Sequence, residues 1–143
     1  MLIGIPRILS PELMAVLMKM GHGDELVIAD ANFPAHSTAR AARGHVVRAD
    51  GAGVAELLDA ILALFPLDYA VPAPVLGMAG PDGPVAVHGA FGGVLARHGH
   101  GPDKMELLSK DDFYRRAARS YAVLASGEEA RFANLIIKKG VVV

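Results

Sequence analysis

Cysteine is absent from the 143 residues. That excludes disulfides, thiolate metal centres and cysteine nucleophiles, and it is compatible with a reducing compartment. No window reaches the roughly 18 uninterrupted apolar residues of a membrane-spanning helix. The apolar N-terminus is interrupted by Pro6, Arg7, Pro11 and Glu12 with no small-residue cleavage site after it, so a signal peptide is not expected. A cytoplasmic protein is the expectation. There is no basic block: 14 Lys and Arg face 15 Asp and Glu, for a net charge of −1. Nucleic acid as the main partner is disfavoured, since phosphate binding needs clustered cations. Phosphate loops are missing too. Gly89-Ala90-Phe91-Gly92-Gly93 lacks the spacing and the Lys-Ser/Thr of a nucleotide loop, and no G-x-S-x-G elbow occurs.

What is present is apolar and compact. Hydrophobic residues make up 52% and charged residues 20%, which argues against disorder. The length suits one domain, residues 1–143, with a core of its own. Positive mean hydropathy in so small a chain points to a homo-oligomer that covers part of the apolar surface.

Ser10-Pro11-Glu12 reads as a helix start, followed by Leu13, Val16, Leu17 and Met20 at helical spacing, with Gly21 as the residue after its cap. Leu26 to Ala29 is a continuous apolar run of strand length. Residues 31–44 read as loop, broken by Asn32, Pro34, Ser37 and Gly44. A strand at His45–Ala49, a helix over Val54–Phe65 and a strand at Pro74–Ala79 follow. Pro81-Asp82-Gly83 is a turn, and residues 84–98 are weakly helical. Met105–Leu108 reads as a strand, Ser109 as the cap of a helix through Ser120, and Tyr121–Ala125 and Asn134–Lys138 as the last strands. The alternation predicts a three-layer α/β domain with a mixed, largely buried sheet.

The densest chemistry lies between Gly21 and Asp30. His22 stands between two glycines where a helix ends. It is either a histidine favoured by the helix dipole or an exposed imidazole with close access to a ligand, titrating near neutrality. Asp30 closes the apolar run at a strand's carboxyl end, where ligands gather in α/β sheets; the alternative is an Asx turn. Asp24 and Glu25 read as strand-cap or solvent-facing residues. Phe33 is either a sugar-stacking ring or a local anchor, and His36 either a ligand donor or a turn residue. His98-Gly99-His100 with Asp103 invites zinc. No third histidine or glutamate stands at a fitting spacing, so an exposed loop is the preferred reading. His45 and His88 form no constellation.

These blocks together resemble the D-ribose pyranase and L-fucose mutarotase family, nearly end to end. The resemblance rests on Ser10-Pro11-Glu12-Leu13, Met20-Gly21-His22-Gly23-Asp24-Glu25, Asp30-Ala31-Asn32-Phe33-Pro34-Ala35-His36-Ser37, Arg48-Ala49-Asp50-Gly51 and Asn134-Leu135-Ile136-Ile137-Lys138-Lys139-Gly140-Val141. The Phe-Pro-Ala-His-Ser loop is similar to the fucose branch. The resemblance implies a ribose pyranase-like fold and a cofactor-free, metal-free mutarotase. It implies His22 as proton donor, Asp30 as a substrate-binding carboxylate, Lys110 as a basic ligand contact, and Phe132, Ala133 and Asn134 completing the site near a subunit boundary. It also implies a ring, often a decamer of two stacked pentamers. Two departures stand out. Lys110 occupies a position usually held by arginine, which loses the bidentate fork. Phe132 replaces the usual tyrosine and its phenol.

Anomer exchange of an aldose passes through the open-chain aldehyde. It needs a proton delivered to the ring oxygen and another removed from the anomeric hydroxyl, a task worth about 10²–10⁴-fold for positioned acid/base groups. L-Fucose is the expected substrate, with D-ribose pyranase activity as an alternative. The competing classes are a ring-forming sugar binder without catalysis and, distantly, a histidine-based metal protein.

Overall fold

The computed structural model describes residues 2–143. Six strands form one sheet in the order β2-β5-β1-β6-β3-β4. They are β1 (Glu25–Ala29), β2 (His45–Ala49), β3 (Val75–Met78), β4 (Met105–Leu108), β5 (Ala122–Ser126) and β6 (Leu135–Lys138). Pairing is parallel in β2-β5, β1-β5 and β3-β4. β6 runs antiparallel to both neighbours, β1 and β3. Five carboxyl ends therefore share one edge of the sheet, and β6 begins at that edge and ends at the other.

Helices cover both faces, giving the three layers expected. Helices α1 (Pro11–Lys19), α3 (Val54–Leu62) and α4 (Ala86–Arg97) pack with Leu26, Ile28, Leu124, Leu135 and Ile137 in one core. Helices α2 (Ala35–Ala41) and α5 (Lys110–Ala117) pack with Val27, Ala29, Val123, Ala125 and Ile136 in the other. Neighbouring strand residues thus enter opposite cores. Each large apolar side chain buried in them contributes about 1.5–3 kcal/mol. β1 and β5 are buried at every residue, as a sheet covered on both faces requires. Among the described residues no helix is long and apolar enough to cross a membrane.

Two sequence expectations are corrected and a third is refined. Residues 31–44 are not all loop, because Ala35–Ala41 forms α2 directly after Pro34. Its buried residues are only Ala35, Thr38 and Ala39, so it lacks the large apolar stripe that reveals a helix. Gly21 does stand directly after the Met20 cap of α1, but without a left-handed backbone; in this turn it is Gly23 that is left-handed, at φ 85°. The α1 carboxyl end is instead closed by Lys139, whose Nζ donates to the Leu17 and Met20 carbonyls, each at 2.7 Å. Glu25 is not solvent-facing. It is buried and bound through two carboxylate oxygens by Arg116, with Nε contacts of 3.0 and 2.8 Å.

Candidate active site

Asp30 follows β1 at the carboxyl edge, where the chain must leave the sheet. β6 begins beside it, so its neighbour there is Asn134. The two residues interlock: the Asp30 amide donates to Asn134 Oδ1 and the Asn134 amide donates to Asp30 Oδ2, both at 2.8 Å. The other carboxylate oxygen accepts from the Asn32 amide at 3.0 Å. Both side chains are buried. Burial pushes the Asp30 carboxyl above the usual carboxylate range. Hydrogen bonds from Asn32, Asn134, Phe33 and Ala133 oppose this by favouring the charged form.

A cleft of about 280 Å³ opens over this pair. Its floor is Asp30, Asn134 and Met78, and its walls are Phe33, Tyr114 and Phe132. Lys110 and Arg131 stand at the rim. Lys110 is the first residue of α5, whose start is capped by Ser109 accepting from the Asp112 amide. Tyr114 lies one turn further on the same helix face. Its ring stacks on Phe33 with centroids 5.3 Å apart and planes 10° apart. Burial, and then the charge of Asp30, push the Tyr114 phenol up, so it remains a neutral donor. Phe132 adopts φ 62°, an uncommon conformation for a non-glycine residue and one that collects at ligand sites. Ala133 is fully buried behind it.

His22 is not in this cleft. It precedes β1, whereas Asp30 follows it, so the strand, about 16 Å at roughly 3.3 Å per residue, separates them within one chain. The His22 side chain is exposed and its Nε2 lies 3.3 Å from Asp68 Oδ1. The structure therefore gathers Asp30, Lys110, Phe132, Ala133 and Asn134 at one edge and leaves His22 at the other. Sequence reading missed Met78, Arg131 and Asp68. Tyr114 carried a legible signal, four residues after Lys110; Asp68, 46 residues from His22, carried none.

Four of the remaining histidines have their own partners. His88 accepts from the Val85 amide through Nδ1 and reaches the Met78 carbonyl through Nε2, both at 3.0 Å, which fixes a buried neutral tautomer. His98 binds Asp59 at 2.8 Å, and His100 meets the Tyr69 hydroxyl at 2.5 Å. The H-x-H pair thus diverges, and among the described residues no cluster of three or more potential ligands gathers for a metal. His45 stacks on Tyr121. His36 is exposed on α2 and lines a neighbouring cavity with Asp30, Arg48 and Asp50.

A polar cleft at the carboxyl edge of a three-layer α/β sheet defines a small-molecule-binding protein of the doubly covered type. The sequence profile of the RbsD / FucU transport protein family matches residues 3–142, and the chain belongs to that family. It is 45% identical over 144 residues to the L-fucose mutarotase of Actinobacillus pleuropneumoniae serotype 5b, covering 99% of this chain and 97% of that one. Against the fucose mutarotase of Danio rerio it is 46% identical over 145 residues, covering 97% and 93%. Among solved structures, the Streptococcus pneumoniae fucose mutarotase in complex with L-fucose superposes with a TM-score of 0.90 at 42% identity, covering 99% of this chain and 100% of that one.

Proposed function

We propose that this chain is a cofactor-independent mutarotase that interconverts the α and β anomers of L-fucose. The observation that carries the reading is the cleft built on the interlocked Asp30–Asn134 pair. A pyranose presents several hydroxyls and one or two apolar ring faces. Asp30 offers acceptor oxygens to hydroxyls, and Lys110 and Tyr114 offer donors. Phe132 and Met78 face the apolar part, the 6-methyl of fucose included. The relatives named as L-fucose mutarotases, and the related structure holding L-fucose, support this ligand.

His22 is the proton donor of the proposal, and it reaches the sugar from a neighbouring copy. The distance within one chain and the exposure of His22 support this arrangement. The imidazolium protonates the ring oxygen, and the anomeric hydroxyl gives its proton to Asp30, whose proton affinity burial has raised. The ring opens to the aldehyde, the carbonyl turns, and reclosure on the other face reverses both transfers. A head-to-tail contact repeated around a closed ring would give every cleft one His22. A decameric ring working in the cytoplasm belongs to this proposal.

The test is NMR exchange spectroscopy between the anomers of L-fucose. The wild-type chain accelerates exchange and His22→Ala removes most of the gain while keeping the fold. Unchanged exchange in that variant takes His22 out of the mechanism. Mixing His22→Ala with Asp30→Asn chains before assembly restores activity in about one quarter of the sites if each site draws on two chains, and in none if it does not. The cleft of a single chain holds no imidazole, which also fits a sugar binder. Calorimetric binding without faster exchange selects that reading.

A further inference from the structure

Within one chain the His22 imidazole already has a carboxylate, and it is not Asp30. The Asp68 side chain is 6% exposed against 54% for His22. Asp68 Oδ1 lies 3.3 Å from His22 Nε2 and accepts the Ala70 amide at 3.0 Å. Oδ2 faces Lys138 Nζ at 3.7 Å. The loop that carries Asp68 is strapped to the end of β6. The Asp68 amide donates to the Lys138 carbonyl at 3.1 Å, and the Gly140 amide to the Pro66 carbonyl at 2.8 Å. The strap is tight enough that a Cβ on Gly140 would stand 2.4 Å from the Leu67 carbonyl oxygen. The carboxylate is thus fixed by the backbone on one side of an exposed ring.

We propose that Asp68 is a positioning residue for His22: it holds Nε2–H, so that Nδ1 is the atom that exchanges a proton with the ligand. The proposal rests on His22 being the acid of the reaction above. In the neutral ring Nε2–H donates to Asp68 and Nδ1 keeps its lone pair. In the imidazolium both nitrogens carry protons, and the buried carboxylate stabilises the cation. Asp68 is ionised for this task. The Ala70 amide, then His22 and Lys138, hold its carboxyl below the usual range against the opposing effect of burial. The charged groups around the pair are few. Lys138 shares Asp68 and weakens its hold on the imidazolium. Asp24 is taken up by the Gly21 amide at 2.8 Å. Lys139 turns away to the α1 carbonyls, and Glu25 and Arg116 bind each other.

The experiment follows the His22 ring nitrogens by ¹⁵N-edited NMR across pH in the assembled protein, with the His22→Ala spectrum for assignment. L-Fucose exchange is measured on the same samples. The wild type shows Nε2–H in the neutral ring. Asp68→Asn moves the His22 midpoint to lower pH, shifts the alkaline limb of the exchange profile with it, and slows exchange about tenfold or more, the scale of a lost charge-assisted hydrogen bond. Lys138→Met moves the midpoint upward, which keeps the proposal open to refutation if Asp68→Asn does not fold. An unmoved midpoint in the folded variants overturns it, as does slower exchange in Asp68→Asn with the midpoint unchanged, which would mark Asp68 as merely structural. If the wild type does not accelerate exchange, the mutarotase reading falls and the His22 titration still decides the pair.

Discussion

Removing the Asn134 amide tests what holds Asp30 in place. Asn134→Ala deletes both hydrogen bonds to Asp30 at once, each 2.8 Å long and buried. The bond from the Asp30 amide joins neutral groups, for about 1 kcal/mol, and the bond to the carboxylate is charge-assisted, for about 1.5–3 kcal/mol. The sum is about 3 kcal/mol. At about 2–4 °C per kcal/mol for a chain of this size, the melting temperature falls by about 6–12 °C. Differential scanning calorimetry at fixed protein concentration measures it, since association shifts apparent stability. Asn134→Asp sharpens the test. A second carboxylate beside Asp30 repels it at neutral pH, so this variant melts low there and recovers on acidification. A fall of less than about 2 °C in Asn134→Ala, under 1 kcal/mol, would refute the reasoning. It would mean that water from the cleft satisfies Asp30 as well as Asn134 does.

Asp30 itself sets a pH dependence of known sign. Its folded carboxyl is raised, so between the ordinary value and the raised one the folded chain holds more protons than the unfolded chain, and stability falls as pH rises through that window. Asp30→Asn removes this slope, and urea midpoints compared across the acidic range read the difference; parallel curves for the two proteins would contradict it. Arg116→Met strands Glu25 without its cation. The guanidinium is partly in solvent, 40% exposed against 9% for Glu25, so the expected loss is about 2–3 kcal/mol, below that of a fully buried pair. Urea unfolding measures it, and wild-type stability would show that Glu25 rehydrates.

The strands were legible because a doubly covered sheet writes itself as apolar runs, and Leu26–Ala29 is the plainest of them. Asp30 was legible because it closes such a run, where the fold places ligands, whereas Lys110 and Asn134 were reached only through the family resemblance. Helix α2 was not legible. Its contact with β5 is made by alanines and a threonine, too small to leave a hydrophobic stripe, while Pro34 and Gly44 mark its limits as if they bounded a loop. The placement of His22 was half legible. Its neighbours promised exposure, and it is exposed, but its separation from Asp30 follows from strand direction, which no local pattern records. Asp68 owes its position to the antiparallel run of β6 and to the Gly140 strap, both of them long-range.

The central position of β6 also bears on how the molecule comes together. Without residues 135–138 the sheet falls into two ribbons, β2-β5-β1 and β3-β4, and the inner borders of both, at β1 and β3, carry open backbone amides and carbonyls. Closing that seam requires β6 to pair with β1 and β3, both distant from it in sequence. Assembly is therefore slow for a chain of this length. Until it is finished, the open seam is the surface on which stray chains would adhere.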